Sequence, residues 1–265
     1  MDRRLVAVLT AVLLAGCGGI ATSDGGTETL TPAPVPEPAD ATTETGTLPP
    51  GVTGNGVVDV DELTAAHQRA TADQSYTLTT ERSTSRETVN ETLDTRQVVR
   101  VANESTYAYW TNERVVWDES RAHYFDNYSE FQDPDGRYVR YTELDGETRQ
   151  RKLGATAPRP RLDREATVAI ERFLTIDNAT VSVRRDDGER HYELRGEQRT
   201  FVTERPIRNV SVSAVIRHDG LVRSLSVQYW RGNSDWGEFV RYSFAYERLG
   251  TTTVEKPAWV RAGED

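Results

Sequence analysis

Asn209-Val210-Ser211-Val212-Ser213-Ala214-Val215-Ile216-Arg217 alternates apolar and polar side chains, and residues 221–230 and 237–248 repeat the pattern. Val210, Val212, Ala214 and Ile216 fall on one face, as do Leu225, Val227 and Tyr229, then Tyr242, Phe244 and Tyr246. Ser211, Ser213, Arg217, Ser224, Ser226, Gln228, Arg241 and Ser243 take the other face. A period of two with one apolar and one polar face reads as antiparallel sheet wet on one side. A slip of one residue would carry every apolar side chain to solvent, so the register is firmly set.

Upstream, His218-Asp219-Gly220 and Asp186-Asp187-Gly188 have turn chemistry, the second between strands expected over 179–185 and 190–195. A helix is expected after the Pro158–Pro160 break, with Asp163 as its cap and Leu162, Ala166, Ile170, Phe173 and Leu174 on one face. Before it, segments 75–87, 91–101, 106–111, 114–117, 122–128 and 137–143 are rich in Thr, Val, Tyr and Trp and read as a meander. Asn112-Glu113, Asp133-Pro134-Asp135-Gly136 and Asp145-Gly146 are the expected turns. A first helix opens at Asp59, with Glu62 completing a capping box, and carries Val60, Leu63, Ala66 or His67, and Ala70 as its stripe. The fold class is therefore α+β: a large curled antiparallel sheet, a half-barrel, with one leading helix and one helix inserted between strands.

The amino terminus is a different kind of segment. Asp2-Arg3-Arg4 precedes an uncharged run from Leu5 to Gly16, the length of a signal-peptide core and too short for a bilayer about 30 Å thick. The run ends in Leu13-Leu14-Ala15-Gly16-Cys17, which resembles a lipobox, the cleavage and lipid-attachment signal of secreted lipoproteins. That resemblance implies a signal peptide over 1–16, lipid on Cys17, and a protein held on the outer face of the cell membrane. Cys17 is the only cysteine, which excludes an intrachain disulfide and a CxxC redox motif. Residues 17–56 hold six prolines, five acids and no base, and are expected to form a disordered tether. Thr31-Pro32-Ala33-Pro34-Val35-Pro36 within it favours extended polyproline-II geometry. The domain is expected to fill 57–265.

Charge narrows the partners. The chain is acidic, at net −10, and removing Asp2, Arg3 and Arg4 leaves 41 acids against 30 bases. Such a surface repels nucleic acid. Lys152 and Lys256 are the only lysines, and scarce lysine with abundant carboxylate fits a surface kept soluble at high salt.

Several motifs carry a family likeness. They are the lipobox, the Thr/Pro tether, Leu48-Pro49-Pro50-Gly51-Val52 leading into Gly56-Val57-Val58-Asp59, and Leu63-Thr64-Ala65-Ala66-His67 before Ser75-Tyr76-Thr77-Leu78. Ile216-Arg217-His218-Asp219-Gly220-Leu221-Val222 and Lys256-Pro257-Ala258-Trp259-Val260 complete the set. In this order they resemble a haloarchaeal lipoprotein family of unknown function. More distantly, the order of elements is similar to the bacterial lipoprotein-carrier fold of the LolA, LppX and RseB type, whose concave face holds acyl chains. That likeness implies a hydrophobic or lipid-like ligand, with Trp117, Tyr229, Tyr242, Phe244 and Tyr246 as candidate pocket residues. Core packing is the competing reading of the same side chains.

No catalytic constellation emerges. HExxH, GxSxG, SxxK and the phosphate-binding loop are missing from the sequence, and no metal, cofactor or catalytic residue is assigned. His67 reads as a packing residue with a hydrogen bond to the sheet. Asn90, Asn103, Asn127, Asn178 and Asn209 each open an N-x-[ST] sequon and are glycosylation candidates. The leading function is a non-enzymatic lipoprotein binding a lipid-like ligand. An envelope structural or protein-interaction module is the alternative. An exported hydrolase is a third reading and needs polar residues converging in a cleft.

Overall fold

The structure, a computed structural model, describes residues 47–56, 58–86, 91–118, 121–143, 145–153, 160–176, 179–186, 188–201, 206–232 and 237–261. Helix α1 (Val60–Ala72) is followed by strands β1 (Tyr76–Arg86), β2 (Glu91–Val101), β3 (Tyr107–Asp118), β4 (Arg121–Asp133), β5 (Gly136–Thr142) and β6 (Thr148–Leu153). Helix α2 (Pro160–Phe173) comes next. Strands β7 (Ala179–Asp186), β8 (Glu189–Phe201), β9 (Ile207–Arg217), β10 (Val222–Arg231) and β11 (Glu238–Glu247) and a single turn, α3 (Ala258–Arg261), complete the order.

All eleven strands form one open antiparallel sheet, in the order β6-β5-β4-β3-β2-β1-β11-β10-β9-β8-β7. Each half is a meander, and the halves meet where β1 pairs with β11, Leu78 opposite Tyr246 and Thr80 opposite Phe244. Helix α2 links the two edge strands, so its chain passes over one face of the sheet. There it packs against α1 and β10.

The alternation read from the last three strands holds: Val210, Val212, Ala214, Ile216, Leu225, Val227, Tyr229, Tyr242, Phe244 and Tyr246 are all buried in one core. Leu63 of α1, Ile170 and Phe173 of α2, and Leu174 just after it cap the core from the helix side. The Asp59 carboxylate accepts the Glu62 N–H at 3.1 Å, as the capping box requires. The buried face of α1 runs through Leu63, Thr64, Ala66, His67 and Thr71 and misses Ala70.

Three expectations are corrected, and one strand that the pattern did not announce is added. Asp163 lies inside the first turn of α2, which opens at Pro160, and accepts a hydrogen bond from the Tyr76 hydroxyl. Asn112-Glu113 is no turn, because β3 runs through it. The Asn112 side chain stands in for the ladder there, accepting from Arg96 N–H at 2.8 Å and donating to the Asp94 carbonyl at 2.9 Å. Strand β6 has no apolar alternation and is exposed almost throughout, which an edge strand permits. Residues 47–56 pack on the domain: Val52 is buried and the Tyr192 hydroxyl donates to the Thr47 carbonyl at 2.8 Å. At Gly56 (φ +81°) a Cβ would stand 1.6 Å from the Ala179 carbonyl oxygen, so only glycine lets this segment lie against the domain.

The opposite face is mostly wet, and the chain end covers one part of it. Phe131 and Tyr138 are buried there under Val260 of α3, with Val254 and Trp259 beside them. The ammonium groups of Lys152 and Lys256 lie 5.2 and 5.5 Å from the Tyr138 ring centre.

Candidate binding face and its polar clusters

On the helix-covered face the pocket candidates line up. Tyr229, Tyr242, Phe244 and Tyr246 are each at most 4% exposed. Tyr242 meets Phe244 edge-on at 6.5 Å, and Phe244 meets Tyr246 at 5.9 Å. Phe173 of α2 lies over Tyr229 at 5.4 Å, and Tyr246 is flanked edge-on by Tyr76 and His67. This aromatic file is roofed by the two helices. The Trp117 side chain lies outside the described residues.

Three polar clusters interrupt this apolar face. At one end of the file, His67 Nδ1 accepts the Val222 N–H at 3.2 Å and Nε2 is 3.3 Å from the Tyr246 hydroxyl. Accepting at Nδ1 places the proton on Nε2, where it can face the tyrosine oxygen. Burial lowers the His67 pKa to about 4, against a smaller opposing pull from Asp219, so the ring is neutral at pH 7. The expected hydrogen bond to the sheet is present.

At the other end, α2 sends Glu165 toward the sheet. Burial raises its pKa, with Arg82 of β1 and a hydrogen bond from Gln97 of β2 pulling the other way. The Arg82 guanidinium sits 5.9 Å over the Tyr242 ring. Burial and the Glu165 carboxylate push the Tyr242 hydroxyl well above the usual phenol range. Sequence periodicity does not single out Glu165, since it stands beside the apolar stripe of α2 and only the fold turns it inward.

The third cluster lies toward the β6 edge. The Glu130 side chain is 0% exposed and is gripped by Arg137, Nε to one oxygen at 2.8 Å and Nη2 to the other at 2.9 Å. The Tyr107 hydroxyl donates to the first oxygen and the Tyr128 hydroxyl to the second, at 2.9 Å. The hydrogen bond to Glu130 holds the Arg137 guanidinium above its ordinary pKa. Beside it Tyr128, Val139 and Tyr141 form a second apolar cluster with Tyr109 and Leu153. Register puts these side chains on the helix-covered side of the sheet, since Tyr109 is paired with both Val99 and Glu130.

The helix-free face carries grooves of about 410 and 460 Å³, both lined by Glu81, Arg96, Ser226 and Ser243. A slot of about 280 Å³ follows between Trp110 and the chain end at Pro257 and Trp259. Among the described residues no group of three or more His, Cys, Asp or Glu is placed to hold a metal ion, and no helix is long and apolar enough to cross a membrane. Cys17, Asn90 and Asn178 lie outside the described residues. Asn103, Asn127 and Asn209 are exposed.

No family model matches the chain, and no curated protein matches it. Among solved structures it is similar to a LolA superfamily protein from Nitrosomonas europaea, at 10% identity over 77% of this chain and 97% of that one, with a TM-score of 0.26. A DUF1329 family protein from Desulfovibrio piger is 11% identical over 75% and 93%, with a TM-score of 0.20. The MucA/MucB complex of Pseudomonas aeruginosa is 12% identical over 76% and 100%, with a TM-score of 0.13. Likenesses this low assign neither family nor activity.

Proposed function

We propose that this chain is an extracytoplasmic, lipid-anchored, non-enzymatic protein that binds an amphiphile on its helix-covered sheet face. One observation carries the reading: the apolar face extends past its two helices, from the aromatic file at Tyr229–Tyr246 to the separate cluster at Tyr128, Val139 and Tyr141. Both sectors are buried, so a guest's tail would enter between packed apolar and aromatic side chains, the lining such a site needs, and not onto bare surface. The 14-residue α2 spans about 21 Å, less than half of the roughly 48 Å that eleven flat strands would cover. Curling the sheet into a half-barrel around α2 brings both edges within its reach and wraps aromatic side chains about the guest's tail. Arg82 and Glu165 at the end of the file then face its head.

The anchor would be lipid on Cys17, and residues between it and the domain would act as a spacer. Two acyl or isoprenoid chains hold a protein firmly where one gives marginal binding. The reading is tested by native mass spectrometry of the full chain released from its membranes in mild detergent. A co-purifying amphiphile, displaced by a fluorescent fatty acid, is the expected result. A clean ligand-free mass with no fluorophore binding overturns it.

A second reading draws on the burial of Tyr229, Tyr242, Phe244 and Tyr246 beneath α1 and α2. If that closed form is permanent, the protein is an envelope interaction module that works through its helix-free face. Crosslinking to envelope proteins in the absence of any bound amphiphile is its signature.

A further inference from the structure

Two of the sequons occupy the same structural position. In β4 the register against β5 steps from Asp126 opposite Thr142 to Ser129 opposite Arg140, one residue more on β4 than on its neighbour. In β9 the register against β10 steps from Arg208 opposite Trp230 to Ser211 opposite Gln228, again one residue more. Each is a β-bulge, and its left-handed residue is asparagine: Asn127 at φ +51° and Asn209 at φ +52°. Asparagine is among the few residues that enter this region readily, so the backbone alone accounts for it. The backbone does not account for the hydroxyl two places on. Ser129 and Ser211 are back in register and form no side-chain hydrogen bond among the described residues, and neither do Asn127 and Asn209.

Asn103 is built differently. Its Oδ1 accepts both the backbone N–H and the hydroxyl of Ser105, each at 3.0 Å, closing a tight loop that uses the acceptor and the hydroxyl of its own sequon. Structure thus separates three exposed sequons into two whose amide and hydroxyl make no side-chain hydrogen bond among the described residues and one whose hydroxyl is held by its own asparagine oxygen.

We infer that Asn127 and Asn209 are glycan acceptors and that Asn103 is not, an inference that rests on the proposed export of the chain. The co-reactant is an oligosaccharide activated as a glycosyl phosphate or diphosphate. The asparagine amide nitrogen forms a bond to the anomeric carbon, the bond from that carbon to phosphate oxygen breaks, and the phosphate leaves with the electron pair. The amide nitrogen gives up one proton. Sugars at both bulges sit on strands of opposite halves of the sheet, adding hydrated bulk to a surface that already resists association through its negative charge.

The test is peptide-level mass spectrometry of the full chain isolated from the cells that make it, with its amino terminus read from the same digest. Peptides bearing Asn127 and Asn209 are expected to carry a glycan mass, and the Asn103 peptide none. Asn127→Gly and Asn209→Gly keep the left-handed backbone and remove the amide. Ser129→Ala and Ser211→Ala keep the asparagine. Either change at a site is expected to abolish that site's glycan, with circular dichroism unchanged. Asn103→Asp keeps the loop's acceptor and is expected to leave the glycan pattern intact. Bare Asn127 and Asn209 overturn the inference, as does sugar at Asn103. If the bare chain begins at Cys17, export survives and only the sugar is lost; if it begins at Met1, both readings fall.

Discussion

His67 Nδ1 accepts the backbone N–H of Val222 at 3.2 Å, which ties the middle of α1 to the first residue of β10. The bond needs an unprotonated ring nitrogen. With a folded pKa of about 4 against an ordinary 6.5, His67 binds a proton more weakly folded than unfolded. Its contribution is therefore complete above pH 6.5 and shrinks as pH falls from there through about 4. Linkage puts the full loss on the order of 3 kcal/mol. Urea midpoints between pH 8 and pH 4 should fall for the natural chain, and His67→Gln, which cannot titrate, should flatten that part of the curve. An unchanged slope in the variant would contradict the assignment.

Glu130 and Arg137 behave as a unit. Arg137→Met strands a carboxylate whose side chain is 0% exposed, and breaking such a pair costs about 3–5 kcal/mol. The double change Glu130→Leu with Arg137→Met removes both charges and should recover most of that loss. Equal destabilisation of the single and double variants in denaturant titrations would show that the pair does not act together.

Gly220 is predicted to be intolerant of any side chain. It has φ +88°, and a Cβ would stand 2.4 Å from the Ala66 Cβ of α1. Strain and overpacking together should cost Gly220→Ala roughly 2–4 kcal/mol. Adding Ala66→Gly should return the steric part and leave the backbone part, a split that calorimetry of the three variants can resolve.

Cys17→Ser is predicted to leave an uncleaved precursor or to release the protein from membranes. Fractionation followed by amino-terminal sequencing decides the matter. A cleaved form of the variant that stays with the membrane pellet would sink the anchoring proposal.

The sheet was most legible where burial is one-sided. In β9, β10 and β11 the apolar period is uninterrupted, and the strands, turns and core followed directly. Legibility failed where exposure removes the pattern, as in Thr148–Leu153, which pairs along an edge and half-buries only Leu153. It also failed where a side chain imitates the backbone: Asn112 looks like a turn former but bridges two strands. Of the candidate face, the aromatic residues were visible because they are periodic. Glu130 and Glu165 were not, because one buried carboxylate among many exposed ones acquires its meaning only from partners distant in sequence, Arg137 with Tyr107 for the first and Arg82 for the second.

Strands β1 and β11 are neighbours at the middle of the sheet, so the first strand made waits for the last. Neither meander can be finished at its inner border until synthesis has passed Glu247. A nascent chain of this kind keeps its central seam open until β11 has been made, which would suit the export proposed above. If the chain is exported as proposed, the seam that joins the two halves would act as a timer, closing only once the last strand has been made.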